Sequence, residues 1–215
     1  MTSFSIEHIT RPSILKENAP VLILLHGYGS DENDLFSFAT ELPEELFIIS
    51  LKAPYQLQPY GNAWYAINFD ANNDKWSDNE QAIKSRELIV KFIDEACAHY
   101  PVNKDNVSLL GFSQGCILSF SVALSYPEKI KNIIGLSGYI NEDIIDLKTP
   151  DAYKELDIYT SHGSVDQVIP VDWARKTSPF LEEHHVKHIY NEFPVGHGVA
   201  PQNFYELKSW LEEKI

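Results

Sequence analysis

The sequence predicts an α/β protein with a mostly parallel central sheet and helices on both faces. Three observations carry that expectation. Short apolar runs are continuous rather than alternating, as suits parallel strands covered on both faces. Segments with helical spacing of apolar residues lie between them. The 215 residues, 44% hydrophobic, show no internal repeat, no Gly/Ser linker and no composition break, so one domain over residues 1–215 is expected.

In chain order, Phe4–Thr10 reads as an antiparallel edge strand and Val21–Leu25 as the first buried strand. Asp34–Leu42 follows as a helix and Leu46–Leu51 as a strand. Glu80–Tyr100 is the clearest helix, with Ile83, Leu88, Ile89, Phe92, Ile93 and Ala96 largely on one face and a capping-box pattern, Ser77-Asp78-Asn79-Glu80, before it. Strands at Val107–Leu110, Ile133–Leu136, Ile158–Tyr159 and Ile189–Phe193 then alternate with helices at Gln114–Ser125, Asp172–His185 and Phe204–Lys214. Two longer irregular stretches remain, Ala53–Asn79 and Tyr139–Leu156; such loops in a compact domain are often functional.

Charge and termini narrow the function classes. Asp and Glu number 31 against 17 Lys and Arg, a net charge of −14, which argues against nucleic acid and anionic membrane surfaces as partners. Cys97 and Cys116 form no CxxC or zinc spacing, and two reduced thiols favour the cytoplasm. The N-terminus carries no basic region followed by an apolar run, residue 2 is not Gly, and the last residues hold no prenylation Cys, so no stable membrane anchor is expected.

Gly111-Phe112-Ser113-Gln114-Gly115 fits G-x-S-x-G, directly after one predicted strand and directly before a helix. That is the setting of a nucleophile elbow, in which a tight turn lifts the serine hydroxyl above the sheet edge. The bland alternative is an ordinary strand–helix turn with a capping serine. A serine hydroxyl needs a base, and in this architecture an acid and then a histidine follow it in the chain. His197, between Gly196 and Gly198 after the last strand, fits the base; Asp166, after Ile158–Tyr159, fits the acid. Glu142 or Asp143 is the alternative acid. His184 and His188 have the i,i+4 spacing of metal ligands, but no acidic partner completes a set, so neither metal nor cofactor is expected. His26-Gly27-Tyr28-Gly29 follows the first buried strand, where a turn of this kind supplies a backbone N–H to an oxyanion hole; Tyr28 and the residue after the nucleophile, Gln114, are the expected donors.

Leu25-His26-Gly27-Tyr28-Gly29-Ser30, the elbow, His162-Gly163…Asp166…Val168-Ile169-Pro170 and Gly196-His197 together resemble the phospholipase/carboxylesterase family of α/β-hydrolases, which includes acyl-protein thioesterases. The resemblance implies an α/β-hydrolase fold without a large cap domain, a Ser113–His197–Asp166 triad, oxyanion amides at Tyr28 and Gln114, and a substrate-binding role for Trp64 in the long loop. It implies a small-molecule ester or thioester as partner and a chain acting as monomer or homodimer. Trp64-Tyr65-Ala66 lacks the Asp that commonly follows in the family, and Ser30 stands where the thioesterases carry Asp. Esters rather than thioesters are therefore the expected substrates, and with no room for a cap domain between Tyr139 and Leu156 a short aromatic wall limits them to short to medium acyl chains. Tyr55, Tyr60, Trp64, Tyr65, Phe69 and Trp76 make Ala53–Asn79 an aromatic stretch that serves either as an acyl wall or as a loop pinned to the core.

Overall fold

A computed structural model describes residues 4–69 and 75–215. Its strands are β1 (His8–Arg11), β2 (Ala19–Leu25), β3 (Phe47–Leu51), β4 (Tyr55–Gln56), β5 (Asn62–Ala63), β6 (Ile67–Phe69), β7 (Lys75–Ser77), β8 (Val102–Phe112), β9 (Asn132–Leu136), β10 (Asp157–Gly163) and β11 (Lys187–Phe193). Its α-helices are α1 (Asn79–His99), α2 (Gln114–Ser125), α3 (Val171–Ala174), α4 (Thr177–Glu183) and α5 (Pro201–Glu212). Seven strands form the central sheet in the order β1-β3-β2-β8-β9-β10-β11. Only β1 runs antiparallel to its neighbour; the remaining pairs are parallel. This is an α/β-hydrolase fold.

The apolar run of β2 is continuous because both faces of the sheet are covered. Val21, Ile23 and Leu25 point into a core shared with α1 and α2. Leu22 and Leu24 point into a second core, shared with Leu35, Ala39 and the α5 residues Leu207, Trp210 and Leu211. Every residue of α2 is buried, so the helix after the elbow lies wholly inside the molecule. Among the described residues no large cap interrupts the sheet. Between β9 and β10 the chain makes only two 3-10 turns, Glu142–Ile144 and Pro150–Tyr153.

Four expectations shift. Asp34–Leu42 is a 3-10 turn over Leu35–Thr40, closed when the Arg11 guanidinium takes the carbonyls of Ala39, Leu42, Pro43 and Leu46. Asp172–His185 splits into α3 and α4. Pro179 has no N–H to donate to the preceding turn and is tolerated only in the first turn of a helix, so a new helix starts just before it. The α1 cap is one residue later than expected: Asp78, not Ser77, accepts from the backbone of Gln81. Ala53–Asn79 is not irregular throughout; β4 with β5 and β6 with β7 make two antiparallel pairs. The side chains of Phe69 and Trp76 lie outside the described residues.

Candidate active site

The elbow forms where β8 hands the chain to α2. Ser113 has φ 53° and ψ −114°, a backbone conformation that costs a non-glycine residue about 1–3 kcal/mol. The Ser113 amide donates to Leu136 O at 2.8 Å, and its carbonyl accepts from Ile117 at 3.1 Å, which holds the turn. Glycine is required on its C-terminal side: a Cβ on Gly115 would stand 2.0 Å from the Leu25 carbonyl. Ser113 makes no side-chain cap to α2. Its hydroxyl instead donates to His197 Nε2 at 3.0 Å.

His197 comes from the loop between β11 and α5, with its ring against Phe112 at 4.9 Å between centroids. Its Nδ1–H donates to Asp166 Oδ2 at 2.7 Å. The other oxygen, Oδ1, accepts the amides of Val168 and Ile169 at 2.8 and 2.9 Å. Burial alone would push the Asp166 carboxyl up; the imidazole and the two amides outweigh it and hold the group below the usual carboxylate range. Asp166, not Glu142 or Asp143, is bonded to the imidazole; Asp143 lines the same cavity and accepts from Asn79 at 3.4 Å. The glycines beside His197 have no steric cause, since a Cβ on Gly196 or Gly198 meets nothing within 4 Å. The tight approach lies at Gly163, whose Cβ would fall 2.2 Å from Gly196 O, where the Asp166 and His197 loops touch.

Tyr28 and Gln114 line the same cavity as Ser113 and His197, about 520 Å³ in volume. Among the described residues, neither backbone amide donates a hydrogen bond within the protein. Both positions are braced from behind. The Gln114 side chain accepts from Trp64 N at 2.8 Å and donates to Tyr65 O at 2.8 Å. The buried His26 donates from Nδ1 to Gly27 O at 2.8 Å and accepts at Nε2 from Ala53 N at 3.1 Å. Burial lowers the tendency of His26 to take a second proton, only partly offset by its bond to Gly27.

Trp64 does not line the cavity. Its ring is 0% exposed and its indole N–H donates to His26 O at 2.9 Å, so it supports the turn carrying Tyr28 from behind. The expected contact with substrate is therefore corrected to a structural brace; a residue without exposed surface has none to offer an acyl chain. The apolar walls come instead from Tyr65, Ile67, Ile117, Tyr139, Val168 and Trp173. Trp173, 45% exposed, meets Tyr139 edge-on at 5.2 Å. His184 and His188 do not converge: His184 rests on Phe180, and His188 Nε2 meets the Ser178 hydroxyl at 2.6 Å.

Sequence reasoning quotes His26 and His162 within their motifs without giving either a role, and passes over Trp173. A signal exists for the two histidines, since each ends or follows a buried strand and directly precedes a glycine. Trp173 stands in a segment whose apolar spacing is explained equally well by packing.

The model of the family described as phospholipase/carboxylesterase matches residues 7–215. The chain is 30% identical over 141 residues to a probable SOBER1-like carboxylesterase of Arabidopsis thaliana, covering 64% of this chain and 53% of that protein. It is 27% identical to acyl-protein thioesterase 1 of Candida albicans over 98% of this chain and 99% of that one. The Bacillus cereus carboxylesterase structure superposes with a TM-score of 0.82 at 19% identity, over 98% of this chain and 95% of that one, a likeness of fold. The chain belongs to the phospholipase/carboxylesterase family of α/β-hydrolases.

Proposed function

We propose that the protein hydrolyses carboxylic esters of short to medium acyl chains through an acyl-enzyme on Ser113. One observation carries the reading: an unbroken hydrogen-bond chain from Ser113 through His197 to Asp166, opening on a cavity beside two undonated amides. His197 takes the Ser113 proton as the hydroxyl oxygen attacks the carbonyl carbon. The amides of Tyr28 and Gln114 receive the oxyanion, and Asp166 holds the imidazole in the tautomer that accepts at Nε2. Imidazolium returns the proton to the leaving alcohol. Water, deprotonated by His197, then releases the acid and restores Ser113.

The relatives named carboxylesterase and acyl-protein thioesterase support an ester or thioester carbonyl as the reacting group. Two free cysteines suit a reducing, cytoplasmic setting; among the described residues no helix is long and apolar enough to cross a membrane. A fluorophosphonate should label Ser113, and p-nitrophenyl esters of graded chain length should be hydrolysed faster than a thioester or a lysophospholipid. Preference for either of those two would move the assignment to thioesterase or lysophospholipase on the same site. No labelling and no turnover would leave a ligand-binding protein on a hydrolase fold.

A further inference from the structure

His162 closes β10, with a fully buried side chain, and the mechanism above does not use it. Its Nε2 lies 2.9 Å from Ile169 O and 3.3 Å from Asp166 Oδ2, so two acceptors face one nitrogen. That nitrogen must carry the hydrogen. Nδ1 is buried without a partner, and a bare lone pair there costs less than an unpaired N–H. The ring is thus neutral, with its single hydrogen on Nε2. Asp166 Oδ2 accepts from His197 at 2.7 Å and lies 3.3 Å from His162 Nε2, whose own hydrogen bond goes to Ile169 O.

We propose that His162 is a positioning residue for Asp166: its Nε2–H, bonded to the Ile169 carbonyl and 3.3 Å from the carboxylate, steadies the turn that holds Asp166 on His197 and tempers the hold of that carboxylate on the imidazole proton. The inference rests on the hydrolase reading above. Its physical content is a division of charge. An N–H dipole this close to Oδ2 offsets negative charge that would otherwise stabilise protonated His197, and protonated His197 cannot accept from Ser113. Other charged groups near the cluster are few. From β11, Glu192 is the register partner of His162 and is occupied by Arg175 at 2.7 and 2.8 Å and by the Tyr190 hydroxyl at 3.0 Å. Asp172 near the start of α3 is held by Arg175 at 3.0 Å, and Asp143, on the cavity lining, is bonded to Asn79.

The test compares His162→Leu, which removes the donor, with His162→Gln, whose Nε2 donor sits at the same position along the side chain. Rates are taken per fluorophosphonate-titrated site, across pH, on one p-nitrophenyl ester. In His162→Leu, kcat should fall about threefold to tenfold, as for loss of a hydrogen bond to a neutral carbonyl. KM should hold, because His162 does not line the cavity. The acid limb of kcat/KM should move to higher pH. His162→Gln should restore most of kcat and the original limb. An unmoved limb in His162→Leu, or no rescue by Gln at equal melting temperature, would reduce His162 to a packing residue. If neither variant folds, imidazole nitrogen NMR of the unmodified protein decides: His162 must show a protonated Nε2 and a bare Nδ1, and the opposite tautomer overturns the proposal. Absence of labelling and turnover in the unmodified protein would instead strike the hydrolase reading itself.

Discussion

Trp64→Phe separates a brace from a specificity wall. The substitution keeps an aromatic ring and deletes the one N–H that the His26 carbonyl receives at 2.9 Å. The orphaned buried carbonyl costs about 1–3 kcal/mol, and the void left by the smaller ring adds about 1 kcal/mol. For a chain of this length that lowers Tm by roughly 5–15 °C. The damage falls on the turn carrying Tyr28, so turnover of acetate and octanoate esters should drop by the same factor. Trp173→Ala is the contrast. Trp173 is exposed at the cavity mouth, and losing its contact with two methylenes at about 0.8 kcal/mol each should cut kcat/KM about tenfold for octanoate. Acetate should be spared and Tm unmoved. The assays are a thermal melt and p-nitrophenyl acetate and octanoate hydrolysis on each variant. A loss confined to octanoate in Trp64→Phe, with Tm unchanged, would refute the reasoning.

Asp166→Asn should lower kcat by roughly 10⁴ through the wrong His197 tautomer, whereas Glu142→Gln should leave p-nitrophenyl acetate kinetics unchanged; steady-state rates on both variants check the ranking. Asp143→Asn should leave neutral esters alone but improve KM for esters with an anionic leaving group, read from a matched neutral and carboxylated pair, because Asp143 places a carboxylate on the cavity wall. Stability should fall with acid in two windows. Below about pH 6.5 the unfolded chain protonates His26 while the buried ring resists, and below about pH 4 the unfolded chain protonates Asp166 before the native one does; urea melts at stepped pH test both, and no loss between pH 6.5 and 5 would contradict the His26 assignment. Burial pushes the Cys116 thiol well up, so a thiol reagent at pH 8 should leave it unmodified until the chain is unfolded, as peptide mapping will show.

The elbow is legible in the sequence because a strand, two glycines and a helix must meet within five residues, and few other arrangements satisfy that. The alternation of Val21, Ile23 and Leu25 against Leu22 and Leu24 is equally legible, since a run buried on both faces has no polar register. Side-chain direction in loops is not. Trp64 reads as a substrate contact and Trp173 draws no notice, yet tertiary packing turns the first inward and the second toward the cavity. The role of His26 depends on a partner 27 residues away, which no local pattern encodes, and that of His162 on the turn that brings Asp166 and Ile169 back to it, which apolar spacing does not reveal. The break before α4 was written plainly in Pro179, and reading apolar spacing alone passes over it.

The backbone of Ser113 has a consequence for how this chain evolves. Glycine adopts φ 53°, ψ −114° with far less strain, so Ser113→Gly sets about 1–3 kcal/mol of relief against about 0.4–1 kcal/mol of extra unfolded-state freedom and about 0.5–1.5 kcal/mol for the lost bond to His197, and comes out ahead when the strain lies in the upper part of its range. The dead protein would then outlast the living one. Any screen that rewards yield or heat resistance without demanding turnover would drift toward losing the nucleophile, and only selection on product would keep the serine where it sits.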